Sequence, residues 1–149
     1  MEASASFVQI NKKSKSNNYT IMKYNQIILE EMEFQFIQNL VKKFLASDET
    51  QNEAWIIKLT NELSNAIVKR ENEMPVDVIK IGSKVDVETP YGRRNNIILV
   101  KPTEKNINEN KISLLSPMGS ALIGYAKGDE VDWDLPKGKS TIKILNVVN

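Results

Sequence analysis

The sequence predicts an α+β fold in which a helical hairpin precedes a small, mainly antiparallel sheet that wraps on one short helix. Apolar residues recur at helical spacing through residues 24–72. β-Branched residues bounded by turn signals dominate residues 74–149. Pro75 marks the change, because the residue before a proline is pushed out of the α region. We therefore expect a disordered arm at residues 1–19, an antiparallel coiled-coil hairpin at 20–73 and a second domain from residue 74 onward.

The hairpin is predicted from two apolar stripes, one in residues 24–45 and one in residues 52–72. The first stripe consists of Ile28, Met32, Phe36, Leu40 and Phe44. The second consists of Ile56, Leu59, Leu63, Ala66 and Arg70, in the alternating steps of three and four that coiled coils use. Since only a short loop separates the helices, they are expected to be antiparallel neighbours with the tip near Asp48. Each arm would have about 21 residues and measure roughly 32 Å.

The C-terminal half contains short runs of β-formers separated by turn signals, such as Pro90-Tyr91-Gly92. One short helix interrupts them. Ser116 is a good N-cap and Pro117 suits the first helical position, while Gly124 is placed to end the helix. These signals predict an antiparallel sheet with a single helix inserted between its strands.

The composition excludes several kinds of chemistry. The chain has 149 residues, of which 41% are apolar and 26% charged, with no cysteine and no histidine. Disulfides, thiolate nucleophiles, imidazole bases and Cys- or His-based metal sites are therefore absent. The formal net charge of +1 argues against a dedicated nucleic-acid binder. With no apolar run near the ~20 residues of a membrane span and no signal peptide, the expected location is the cytoplasm, away from membranes.

The most specific pattern lies in residues 111–124, which read K-I-S-L-L-S-P-M-G-S-A-L-I-G. Gly128-Asp129 and Pro136-Lys137-Gly138 follow, and residues 81–85 read I-G-S-K-V. In order and spacing this resembles the C-terminal domain of the Gre family of bacterial transcription elongation factors, GreA and GreB. The resemblance covers residues 74–149 and implies an FKBP-like α+β domain.

The resemblance also implies a partner. In Gre-like factors this domain docks on the coiled-coil rim of the secondary channel of RNA polymerase, with no sequence-specific contact to nucleic acid. It assigns the docking patch here to Ser116, Pro117, Met118 and Gly119, which we expect to be exposed. Each residue singly also has a structural explanation, since tight turns and close packing require glycine.

The hairpin tip resembles a family motif that serves catalysis. Cleavage-stimulating members carry G-D-L-S-E-N-A-E-Y there, and residues 47–55 here read S-D-E-T-Q-N-E-A-W. Asp48 matches the first acid, Gln51 replaces the second, and Glu49 and Glu53 lie nearby. In the family such acids help the polymerase hold a second magnesium ion for cleavage of backtracked RNA.

Asp48 and Glu49 are therefore the candidate accessory catalytic residues, and Asp48 is the candidate ligand of the polymerase magnesium. The chain needs no cofactor of its own and is at most an accessory factor rather than an enzyme. The alternative is structural, because acids near a helix N-terminus also stabilise the helix dipole.

Three other functions remain open. The arms look roughly two turns, or about 11 Å, shorter than those of cleavage-stimulating factors. Short arms and an incomplete acid pair resemble the Rnk-type relatives, which suggests polymerase binding without cleavage. A prolyl isomerase would use the aromatic residues Tyr91, Tyr125 and Trp133. A homodimer would use the surplus apolar surface of the hairpin, Phe34, Phe36 and Phe44.

Overall fold

The computed structural model describes residues 21–47, 53–135 and 138–149. Its helices are α1 (Glu31–Ala46), α2 (Ala54–Ser64) and α3 (Pro117–Leu122). Its strands are β1 (Ile28–Glu30), β2 (Ile67–Lys69), β3 (Lys84–Thr89), β4 (Gly92–Val100), β5 (Lys111–Ser113), β6 (Glu130–Leu135) and β7 (Gly138–Val148). The fold is α+β, with the helical hairpin first and the main sheet in the C-terminal half, as the sequence predicts.

The hairpin arms are shorter than predicted, with 16 residues in α1 and 11 in α2. At 1.5 Å per residue these helices measure roughly 24 Å and 17 Å. The missing turns are replaced by β1 and β2, which pair in parallel. The β-branched residues of both segments favour a strand, and the Ile28 N–H donates to the Gly124 carbonyl at 3.1 Å. Pairing with distant residues thus overrides the helical spacing.

The buried face of α1 also differs from the predicted stripe. Ile37 and Val41 are its buried residues, whereas Met32 is 71% exposed. Glu30 caps the helix, because its carboxylate accepts hydrogen bonds from the Met32 and Glu33 N–H groups at 3.0 and 3.1 Å. The cap fixes the residue at which α1 begins. The buried face of α1 therefore carries Ile37 and Val41 in place of the predicted stripe.

The main sheet has the strand order β5-β4-β3-β7-β6. Only β4 and β5 pair in parallel, and the other three pairings are antiparallel. The short helix α3 starts as predicted, with Ser116 as its N-cap and Pro117 at its first position. Residues 101–110 are mostly exposed and contain two 3-10 turns, Pro102–Glu104 and Ile107–Glu109.

The helical hairpin and the sheet share one hydrophobic core. Ile37 of α1 and Ile56 of α2 are fully buried in the same cluster as Leu122 and Ile142. Burial of such side chains typically contributes about 1.5–3 kcal/mol each. The hairpin is therefore held against the C-terminal half rather than standing away from it.

The additional phenylalanines of the hairpin pack against other residues of the same chain. Phe34, Phe36 and Phe44 are partly buried against the core. Lys101 Nζ lies 4.9 Å from the centre of the Phe36 ring, and the Phe44 and Trp55 rings are 5.5 Å apart. The apolar surface that suggests a homodimer in the sequence is thus largely covered by the chain itself.

Candidate functional site

The segment that starts α3 is organised around Ser116. Its hydroxyl donates to the Ser113 carbonyl at 2.7 Å and accepts from the Gly119 N–H at 3.0 Å. The Leu115 N–H donates to the Ser113 hydroxyl at 2.9 Å. These bonds satisfy backbone groups that a helix N-terminus otherwise leaves without partners. The two serines of the motif therefore fix the path of the chain into α3.

Gly119 is required by close packing. A Cβ atom built there would lie 1.9 Å from the Ser113 carbonyl oxygen, far inside any real contact. Met118 is 7% exposed and Gly119 is buried, while Ser116 and Pro117 are half-buried. The expected exposure of the patch is thus wrong for Met118 and Gly119, because both serve the packing of α3. A partner can reach Ser116 and Pro117.

The tip residues Asp48, Glu49 and Gln51 lie outside the residues that the structure describes. Their neighbour Glu53 is the N-cap residue of α2, and its carboxylate accepts a hydrogen bond from the Trp55 indole at 2.5 Å. Trp55 is buried against Phe44. Glu53 and Trp55 therefore help to hold the start of α2. Within residues 21–47, 53–135 and 138–149, no three acidic side chains are grouped to hold a metal ion.

Contacts of Tyr125 hold α2 to the C-terminal half. The Tyr125 hydroxyl donates to Glu62 Oε2, to which Lys58 Nζ also donates at 2.7 Å. Burial, followed by the charge of Glu62 and the hydrogen bond to it, raises the pKa of Tyr125 far above its ordinary value of 10.0. Tyr125 therefore stays protonated and remains a donor across the physiological range.

A second contact holds α1. Glu33 Oε2 accepts a hydrogen bond from the Ile81 N–H at 2.7 Å. Burial raises the pKa of Glu33, although this hydrogen bond and the charge of Lys80 oppose the rise. Glu33 joins the first turn of α1 to the segment that leads into β3.

Gly124 and Asp129 of the motif connect the C-terminal half to the segment before α1. A Cβ atom at Gly124 would lie 2.7 Å from Ile27 Cβ, so a larger residue would separate the two segments. The buried Asp129 carboxylate accepts hydrogen bonds from the Lys23 and Ala126 N–H groups at 2.6 and 2.8 Å. Burial raises the pKa of Asp129 despite these bonds. The sequence indicates only turns at these positions, because their partners are distant in the chain.

A groove of about 980 Å³ opens between α2, residues 22–27 and the edge of the sheet at β6. Its lining includes the ion pair of Lys58 and Glu62 together with Asp132 and Lys139. The aromatic residues that a prolyl isomerase would need do not line this groove. The Tyr125 hydroxyl instead donates a hydrogen bond to Glu62. The Tyr91 and Trp133 rings pack edge to face, with their centres 6.4 Å apart.

No helix in the described ranges is both long and apolar enough to cross a membrane.

Comparison with known proteins identifies relatives. Residues 74–149 match the family model described as the C-terminal domain of transcription elongation factor GreA/GreB. Transcription elongation factor GreA of Clostridium botulinum (strain Alaska E43) is 37% identical over 102 residues, which cover 68% of this chain and 64% of that protein. GreA of Clostridium acetobutylicum is 39% identical over 102 residues, covering 68% and 65% respectively. The chain thus spans slightly less than two thirds of the length of these curated relatives.

A solved structure extends the likeness beyond the C-terminal half. The prokaryotic transcription elongation factor GreA/GreB from Nitrosomonas europaea superposes with a TM-score of 0.62 at 28% sequence identity. The alignment covers 83% of this chain and 98% of that one. Because 83% of the chain is more than residues 74–149 contain, part of the N-terminal half is included in the shared fold.

Proposed function

This chain belongs to the GreA/GreB family of transcription elongation factors, and on that premise we propose that it binds RNA polymerase and regulates transcript elongation. The observation that carries the proposal is the family match over residues 74–149. The motif residues within that match form a closely packed unit, with Ser116 and Gly119 fixing α3 and Asp129 fixing the turn into β6. Binding to RNA polymerase would also place this protein in the cytoplasm.

The proposed contact is the rim of the secondary channel, approached by the start of α3. Ser116 and Pro117 are half-buried and so offer atoms to a partner, whereas Met118 and Gly119 act from beneath by packing. The described residues offer no cluster of ionisable groups suited to a metal site. The role proposed is an accessory one, in which the polymerase performs the chemistry, and its support is the match to a family of elongation factors.

Whether the factor also stimulates transcript cleavage depends on the hairpin tip. In that function Asp48 and Glu49 would approach the polymerase active site, and Asp48 would share its magnesium ion. Two features favour regulation without cleavage. Gln51 offers magnesium a neutral oxygen in place of a carboxylate. The arms measure only about 24 Å and 17 Å, which limits their reach.

An elongation assay with purified core polymerase tests the proposal. Adding the wild-type chain to paused complexes is expected to change the rate of read-through in a concentration-dependent way. Unchanged pausing at saturating factor would contradict a role in elongation.

The same complexes, once backtracked, test cleavage. We expect the wild-type chain and the Asp48→Ala variant to leave the RNA length equally unaffected. RNA shortening that requires Asp48 would instead assign the factor to the cleavage-stimulating class.

A further inference from the structure

Strand β6 forms one edge of the main sheet and one wall of the groove. It follows β7 at the end of the strand order, and among the described residues no strand pairs with its other side. An edge strand leaves backbone N–H and C=O groups without strand partners, and proteins usually cover such edges. The groove beside this edge has a volume of about 980 Å³, at the large end of the range for ligand pockets.

The backbone of β6 presents hydrogen-bonding groups to the groove. A backbone N–H of β7 donates to the Asp129 carbonyl at 2.9 Å, whereas the next N–H, that of Glu130, donates to the Ile21 carbonyl on the opposite side at 3.0 Å. Because neighbouring residues of an antiparallel strand bond to opposite sides, Val131 bonds toward β7 and Asp132 faces the open edge. Asp132 also lines the groove. The groove is therefore bordered by the N–H and C=O of Asp132.

The first described residues occupy the start of this open edge. The Ile21 carbonyl accepts the Glu130 N–H, and further along the chain the Ile28 N–H donates to the Gly124 carbonyl at 3.1 Å. Between these two contacts the chain advances by seven residues while its partners move back by six. The segment therefore runs antiparallel to β6, and the residues before Ile21 lead toward Asp132.

The chain itself supplies a segment that can reach the groove. Residues 1–20 lie outside the described residues, so the disordered arm expected at residues 1–19 stays a prediction. An arm with no core of its own becomes ordered only on a surface that it binds. Because this arm joins the structure at the open edge, its effective concentration at the groove is about millimolar. Tethering therefore favours the arm over a separate peptide.

The charges of the arm and of β6 are complementary. Residues 1–20 contain three lysines and one acidic residue. Strand β6 carries an acidic residue at every second position, namely Glu130, Asp132 and Asp134. Edge-to-edge pairing with β6 of a second copy would set acidic residues against acidic residues, which destabilises a sheet. The charge pattern therefore favours the arm over a second copy of the chain.

We propose that residues 17–20 bind in the groove as an added strand antiparallel to β6, and so join the helical hairpin to the edge of the sheet. Counting back from the contact between Ile21 and Glu130 places Tyr19 opposite Asp132, where each backbone donates to the other. Ile57 of α2 lines the opposite wall and is 48% exposed, and the added strand would cover it. This proposal does not depend on polymerase binding.

Amide hydrogen exchange of the full chain, measured residue by residue with NMR, tests the added strand. We expect the Asp132 N–H to exchange at least about tenfold more slowly in wild type than in Tyr19→Pro, because proline removes a donor from the added strand. Asn18→Pro is the matched control, since the N–H of residue 18 would point away from β6, where an edge strand tolerates proline. Val131, whose N–H bonds to β7, shows whether the sheet is intact in each variant.

A disulfide cross-link provides a second measurement, and the absence of native cysteine makes it specific. Hydrogen-bonded residues that lie opposite each other in antiparallel strands have Cα atoms about 5.5 Å apart, a distance that a disulfide spans. Tyr19→Cys/Asp132→Cys is expected to oxidise within one chain at least about tenfold faster than Ser14→Cys/Asp132→Cys, in which the first cysteine is displaced along the arm.

Three outcomes overturn the proposal, and all of them leave the proposed function standing. Equal Asp132 exchange in wild type and Tyr19→Pro, with Val131 still protected, excludes the added strand. Asp132 protection that rises with protein concentration, together with disulfides between chains, assigns the edge to a second copy. Asp132 protection that appears only after polymerase is added assigns the edge to a separate partner.

Discussion

The Tyr125 hydroxyl donates a hydrogen bond to the carboxylate of Glu62, joining the segment after α3 to the last turn of α2. Lys58 Nζ completes the group at 2.7 Å from Glu62 and 3.2 Å from the Tyr125 oxygen. Neither the family motif nor the hairpin periodicity indicates this contact. With the hydrogen bond between Glu33 and Ile81, it fixes how the helical hairpin lies against the C-terminal half.

The burial of Tyr125 predicts a tyrosine that does not ionise in the folded protein. Its raised pKa means that stability contributed by this group is present below the ordinary value of 10.0 and is lost as pH rises above it. In alkaline titrations of the folded chain, wild type and Tyr125→Phe should therefore show equal phenolate absorbance. In denaturant, wild type should show one phenolate more. An extra phenolate in folded wild type would contradict the buried hydrogen bond.

The raised pKa of Glu33 predicts that its contribution to the free energy of unfolding decreases with rising pH. A carboxylate in an ordinary salt bridge, with a lowered pKa, gives the opposite dependence. Because its pKa is raised in the folded state, the folded chain binds its proton more tightly than the unfolded chain does. Its contribution to stability therefore falls as pH rises through the window that opens at about 4.5. The free energy of unfolding of Glu33→Gln minus that of wild type should rise across this window.

Asp129 also has a raised pKa, but it is common to both proteins, so its contribution cancels in the difference. Asp77 has a lowered pKa, because the hydrogen bonds from Lys23 and Tyr24 outweigh the effect of burial. Urea unfolding at pH 4 to 7 gives the comparison. Parallel stability curves for wild type and Glu33→Gln would show that Glu33 is not buried against Ile81.

The motif glycine Gly119 should tolerate no side chain. Gly119→Ala drives a Cβ atom to 1.9 Å from the Ser113 carbonyl, so we expect a loss of about 3 kcal/mol or more in unfolding free energy. Gly82→Ala is the matched control. It has a φ of +96° but no atom within 4 Å of the new Cβ, and should cost only about 1–2 kcal/mol. Equal losses of unfolding free energy in Gly119→Ala and Gly82→Ala, measured with urea, would contradict the packing role of Gly119.

The shared core predicts that the hairpin and the sheet unfold together. The chain has two tryptophans, Trp55 in α2 and Trp133 in β6. Trp133→Phe leaves a fluorescent probe of the hairpin, and Trp55→Phe leaves one of the sheet. In each variant the fluorescence transition should coincide with that of the helical circular dichroism signal. In the Trp55→Phe variant, a Trp133 transition at clearly higher urea than the helical circular dichroism transition would contradict a common core.

The sequence predicts those elements whose causes are local. The N-cap at Ser116 and the turn at Pro90-Tyr91-Gly92 follow from residues within a few positions of each other, and the structure contains both. The predicted start of the first helix is wrong, because Ile28 lies in a strand that pairs with Gly124 and Ile67. The spacing of apolar residues within 24–45 cannot indicate such distant partners. Long-range pairing therefore decides where the hairpin helices begin and end.

The candidate site shows the same division. Gly119 was identifiable from the motif, although its neighbour Met118 proves to be buried rather than exposed. The contact of Tyr125 with Glu62 is not indicated by the sequence, because it joins positions 63 residues apart. The acids Asp48 and Glu49 lie outside the described residues, and their roles stay predictions.

The measurement that tests the account most directly is equilibrium binding of the labelled full chain to purified core RNA polymerase. A factor of this family that docks through its C-terminal domain should bind saturably, with a dissociation constant of about 1 μM or below, equivalent to about −8 kcal/mol. Excess unlabelled chain should displace it. No saturable binding at micromolar polymerase, with the chain shown to be folded, would contradict the central claim.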